Sequence, residues 1–141
     1  MRPEQVALIR TTWGQVTPLG IAAAALFYER LFALDPELAA MFAHTDMERQ
    51  AKKLLQALGG VVGTADRLHT LGPLLEELGR AHLRYGVMDR HYDTVGLALL
   101  ATLEAALGKA FTPPVQEAWT LAYAAVATHM RTGARRSQQA A

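Results

Sequence analysis

Five residues recur at steps of three and four: Leu71, Leu75, Leu78, His82 and Tyr85. That spacing gathers side chains on one face of a helix. The face is otherwise apolar, so it is expected to point inward. A neutral imidazole on it carries one lone pair and one N–H, and both need partners. Two chemistries answer that need. A metal centre such as iron can take the lone pair while a backbone carbonyl or another side chain takes the N–H. Alternatively, hydrogen bonds satisfy both nitrogens of an ordinary core histidine. The other four histidines offer less. His44 falls in a loop, His69 flanks one and His91 starts a helix, so each is expected to be exposed. His129 lies in the last helix, and no two histidines have a zinc-binding spacing. No Ser/His/Asp set and no glycine-rich phosphate loop stands out.

Helices must position His82, because every long segment has helical period. Val6, Ile9, Trp13 and Val16 form a first stripe. Thr17 and Pro18 read as the cap and first residue of a second helix, which carries Ile21, Ala24, Ala25, Tyr28 and Phe32. Asp35-Pro36 breaks the chain and starts a short helix, and residues 44–46 form a loop. From about Met47 to Val62 runs another stripe through Ala51, Leu54, Leu55 and Leu58. Gly72-Pro73 precedes the His82 helix and Gly86 ends it. Asp89 is positioned to cap the next helix, which Gly108 closes. Thr112-Pro113 opens the last, with Val115, Ala118, Trp119, Ala122 and Val126 on one side. Gly133 is expected to stop it. Trp13 and Trp119 read as core anchors. No segment alternates with hairpin chemistry, so the class is all-α with six to eight helices. Residues 1–133 form the domain and 134–141 a disordered tail.

Composition narrows the function. The 141 residues are 51% apolar and 19% charged, which excludes a disordered chain and allows a substantial core in one domain. A net charge of +1 sets up no field for nucleic acid. The chain has no cysteine, which removes disulfides, thiolate nucleophiles and cysteine-held clusters. The apolar run Ile21 to Phe27 is too short to span a membrane. No leader pattern is seen, and the expected location is the cytoplasm.

Several separated segments then agree in type and spacing: Leu26-Phe27-Tyr28-Glu29-Arg30-Leu31-Phe32, Asp35-Pro36-Glu37-Leu38, Met41-Phe42, Gln50-Ala51-Lys52-Lys53-Leu54 and Ala81-His82-Leu83-Arg84-Tyr85-Gly86-Val87, with Tyr92 ten residues after His82. Together they resemble the globin family, and more narrowly the bacterial single-domain haemoglobins and the haem domain of flavohaemoglobins. The resemblance covers nearly the whole chain. It implies a globin fold around a pocket for haem b, with His82 as the iron ligand. It makes Tyr28 and Gln50 the residues on the gas-binding side. Phe42 becomes the aromatic wedged against the haem, Leu54 the apolar residue over the iron, and Lys53 a base near a propionate. Val87 becomes a haem contact and Tyr92 the partner of the histidine. Ala24 and Ala51 match small residues where two helices cross.

The implied function is reversible binding of O₂ at ferrous iron, with NO and CO as further ligands. A bound diatomic gains partial negative charge on its outer atom. A Tyr hydroxyl and a Gln amide can both donate to it. Without the resemblance, Tyr28 reads as a core tyrosine and Gln50 as a surface glutamine. Two other functions stay open. One is a nitric oxide dioxygenase that makes nitrate with electrons from an external reductase. The other is a globin-fold sensor or interaction module. One departure bears on the choice. Flavohaemoglobins carry a Glu near the position of Ala134, whereas no acidic residue follows Glu117 here. That leaves the electron-donating network behind the histidine incomplete and favours reversible binding over turnover.

Overall fold

The computed structural model describes residues 1–140. They form seven α-helices and three short 3₁₀ turns, with no strand among the described residues. The helices are α1 (Pro3–Val16), α2 (Ile21–Leu34), α3 (Pro36–Met41), α4 (Met47–Gly63), α5 (Gly72–Arg84), α6 (Asp89–Leu107) and α7 (Pro113–Ala140). The turns are Thr17–Leu19, Ala65–Leu71 and Gly108–Ala110.

Local chemistry sets most boundaries. Asp35 Oδ1 accepts the Glu37 N–H at 3.1 Å and so caps α3, with Pro36 as its first residue. Asp46 Oδ1 accepts from Glu48 at 3.1 Å and Arg49 at 3.2 Å, capping α4. Each satisfies donors that a helix start leaves free. Gly86 (φ 95°) and Gly108 (φ 55°) follow the ends of α5 and α6, in backbone that a side chain disfavours.

Three expectations about helix ends fail, two of them for a tertiary reason. Thr17 and Pro18 do not open α2. They form a 3₁₀ turn, and Gly20 (φ 54°) takes the cap position, so that the chain turns through 98° between the first two helical segments. Asp89 does not cap α6. Met88 holds that position, and the Asp89 carboxylate is drawn instead to Arg131, 3.0 Å away. Gly133 does not stop α7, and residues 134–140 are helix rather than tail. Ala141 lies outside the described residues. Gly133 has no positive φ. It is buried against α5, where a Cβ would collide with the Glu76 backbone, just as a Cβ at Gly79 would collide with Met130. This pair of glycines lets α5 and α7 touch backbone to backbone. The Arg136–Glu76 ion pair ties the helices together beyond Gly133.

The core gathers Ile9, Phe27, Leu31, Leu103, Ala118 and Trp119. Trp119 is the anchor that its stripe position implies, with Nε1 donating to Thr12 Oγ1 at 2.9 Å. Trp13 packs beside it, ring centroids 6.2 Å apart. α2 packs on α4, and Ala24 and Ala51 are both only 2% exposed, as close helix packing requires. No single helix among the described residues is long and apolar enough to cross a membrane.

Candidate functional site

α2, α3 and α4 bring three of the candidate residues together. Tyr28 sits on the inward stripe of α2, 6% exposed. Its ring centroid lies 5.5 Å from that of Phe42, at the end of α3, and Phe32 completes the aromatic cluster at 5.9 Å from Tyr28 and 5.4 Å from Phe42. Gln50, in the first turn of α4, is half-buried and donates from Nε2 to the Tyr28 hydroxyl oxygen at 3.1 Å. The Tyr28 oxygen therefore acts as an acceptor, and its own proton remains to be donated elsewhere. Burial raises the Tyr28 phenol above its ordinary value, with the Gln50 hydrogen bond acting against it, so the group stays a neutral donor. Leu54, one turn after Gln50, is half-buried against the core. Lys53 is exposed.

His82 lies in the last turn of α5 and is half-buried. Its Nδ1 sits 2.7 Å from the Leu78 carbonyl. A carbonyl only accepts, so Nδ1 carries the proton and the lone pair is at Nε2. The turn after α5 is tied back to the same residue, because the Val87 N–H donates to the His82 carbonyl at 3.0 Å. The stripe that singled out His82 is only partly inward. Leu75 is buried and Leu78 half-buried, but Tyr85 is 73% exposed. The helix ends at Arg84, so its period no longer aims Tyr85.

Tyr92, on α6, is buried. Arg131 of α7 lies over its ring, 5.2 Å from the centroid, and also pairs with Asp89 and Asp93 at 3.0 Å each. Burial raises the Tyr92 phenol, partly offset by the Arg131 charge. Tyr123 donates to the Tyr92 carbonyl at 2.6 Å. A cavity of about 360 Å³ opens here, lined by Leu83, Val87, Tyr92, Arg131, Ala134 and Arg135 among others. Ala134 thus faces the same cavity as Tyr92, which Asp89 and the Arg131 guanidinium also line. A second crevice, about 520 Å³, lies between α2 and α4 and reaches Tyr28. His82, Gln50, Phe42 and Leu54 line neither crevice.

Two residues escaped the sequence reading. Arg131 is legible only once α6 and α7 are side by side. His91 was expected to be exposed and is 2% exposed. Its signal was its place three residues after the cap of α6, where an acceptor side chain can reach back to the cap N–H. Of the others, His44 and His69 are exposed as expected, and His129 is half-buried and lies against Gly72.

The globin family model matches residues 25–130 of this chain. A flavohemoprotein of Vibrio cholerae serotype O1 is 34% identical over 122 residues, covering 85% of this chain and 31% of the relative. A flavohemoprotein of Bacillus subtilis is 29% identical over 124 residues, 86% of this chain and 31% of the relative. A neuroglobin of Tetraodon nigroviridis is 30% identical over 139 residues, 89% of this chain and 87% of the relative. The chain thus spans about a third of the flavohemoproteins it matches and most of the neuroglobin. With seven helices, no strand among the described residues and a family match over 25–130, the chain belongs to the globin family.

Proposed function

We propose that this chain binds haem through His82 and reversibly holds a diatomic gas beside Tyr28. The observation that carries the reading is the polarity of the His82 ring. With Nδ1 on the Leu78 carbonyl, Nε2 offers a lone pair to a metal. No group of three His, Asp or Glu side chains gathers into a bare-ion site among the described residues. A lone imidazole fits a metal whose other ligands come with its cofactor, and iron porphyrin is that case. Without cysteine, the haem would be held non-covalently, as haem b. When bound, it supplies an iron that takes O₂, NO or CO.

The residues of this chain do the rest. Leu78 fixes the His82 ring and its tautomer, as a second partner does for other metal-binding histidines. Phe42, Leu54 and Val87 supply apolar surface that excludes water. The Tyr28 hydroxyl, still holding its own proton, would donate to the partial negative charge on a gas held beside it. Gln50 acts through Tyr28: its N–H occupies the tyrosine oxygen, polarises the hydroxyl and aims its proton. This replaces two independent donors with one donor and its support. Lys53, being exposed, is free to meet a haem carboxylate at the protein surface. Similarity to flavohemoproteins also suggests NO consumption with an external reductase. The guanidinium over Tyr92 and the alanine at 134 favour reversible binding instead, because neither makes the histidine more anionic.

The test is an absorption spectrum of the purified or haem-reconstituted protein, ferric, ferrous, and ferrous with CO and O₂. The unmodified chain should retain one haem and form stable gas complexes. His82→Ala should lose haem or hold it weakly, with recovery on added imidazole. An unchanged spectrum and haem content in His82→Ala would remove His82 from the ligand position.

A further inference from the structure

The most buried histidine of the chain is His91, and nothing in the gas-binding reading uses it. Its Nδ1 accepts the Met88 backbone N–H at 2.8 Å. A ring nitrogen that accepts has no proton, so the neutral ring carries its proton on Nε2. Nε2 is buried without a close hydrogen-bond partner and faces Asp35 Oδ2 at 3.5 Å. The other oxygen of Asp35 caps α3, and the Asp35 N–H closes α2 on the Leu31 carbonyl at 3.0 Å. On the surface, Arg90 pairs with Glu37 at 2.9 Å across the same junction.

The two sides of this ring lead to the two sides of the site. Met88 is the last residue of the turn that follows α5, and its neighbour Val87 donates to the His82 carbonyl. Asp35 starts the helix that ends at Phe42. We propose that His91, in its neutral Nε2–H form, is a positioning residue for haem: it ties the turn behind His82 to the α2–α3 joint that sets Phe42. This rests on the haem-binding reading. The Nε2–H is buried and faces a carboxylate 3.5 Å away, so removing that carboxylate leaves a buried donor with no acceptor opposite it.

Three variants and two readouts test it. Gln can accept from Met88 and donate toward Asp35, whereas Leu can do neither. Asn at 35 can still cap α3 but can turn an amide N–H toward Nε2–H. His91→Leu should speed haem transfer to an excess of apomyoglobin by about tenfold, the equivalent of about 1.4 kcal/mol. His91→Gln should restore most of that loss, and Asp35→Asn should speed transfer in the same direction. Long-range ¹H–¹⁵N spectra of the unmodified chain, with and without haem, should show His91 protonated on Nε2. Should His91→Leu not fold, Asp35→Asn and the spectra decide. Unchanged haem loss in the Leu and Asn variants, equal loss in Gln and Leu, or an Nδ1–H ring overturns the proposal. An unmodified chain that takes up no haem overturns the haem-binding reading and the positioning role with it. The tautomer result would then still test the Met88–His91–Asp35 link by itself.

Discussion

At the scale of single residues, the site depends on which atoms donate. Gln50 donates to Tyr28 at 3.1 Å, so the two side chains form a chain rather than a pair of parallel donors. Energies in such a chain are coupled. Tyr28→Phe keeps the ring and removes the hydroxyl. It should speed O₂ dissociation by roughly tenfold or more, since a hydrogen bond to a charged partner is worth about 1.5–3 kcal/mol. Gln50→Leu should speed it less, because the tyrosine hydroxyl remains. The double variant should resemble Tyr28→Phe alone. Stopped-flow rates that multiply across the two changes would show that Gln50 donates to the gas by itself.

At the scale of elements, the contact of α5 with α7 holds the His82 helix in place. Its two glycines do different work from those of a turn. A Cβ at Gly79 would meet the Met130 carbonyl, and one at Gly133 the Glu76 carbonyl. Neither obstacle is a flexible side-chain end, so the helices must separate. Gly79→Ala and Gly133→Ala should each lower stability by about 1–3 kcal/mol, the usual cost of overpacking. Gly60, in the last turn of α4, has nothing near it. Gly60→Ala should raise stability by up to about 1 kcal/mol through helix propensity alone. Urea midpoints at unchanged m-value measure all three. A neutral or stabilising Gly133→Ala would mean that α7 does not lie on α5 as described.

At the scale of the whole molecule, buried tyrosines set an alkaline limit. Burial raises the phenols of Tyr28, Tyr92 and Tyr123 above their ordinary value. In the unfolded chain each titrates near a pH of about 10. Between that value and the folded one, the native state holds protons that the unfolded state has released. The contribution of these groups is thus complete below about pH 10 and is lost as pH rises through the folded values. Unfolding free energy of the apoprotein should fall between roughly pH 10 and 12, with a shallower slope in Tyr123→Phe. Stability flat over that range would contradict the burial of these rings.

Much of this protein is written in short-range sequence. Asp35, Asp46, Pro36, Pro113, Gly86 and Gly108 mark helix ends through local hydrogen bonds and backbone angles, and those ends are where the sequence puts them. The spacing of Tyr28, Phe42, Gln50, His82 and Tyr92 resembles the globin pattern, and of these the structure brings Tyr28, Phe42 and Gln50 together. Tertiary structure decided what depends on a partner far along the chain. Gly133 has the composition of a stop signal, yet α5 makes it a contact residue. His91 stands at a helix start, where solvent is the default, yet the α2–α3 joint buries it. Arg131 looks like a surface charge until Asp89, Asp93 and Tyr92 come to meet it. Tyr85 follows the stripe period, but the helix stops before reaching it. Propensity and periodicity are local properties of the chain. Burial and pairing belong to two segments at once, and only their packing sets them.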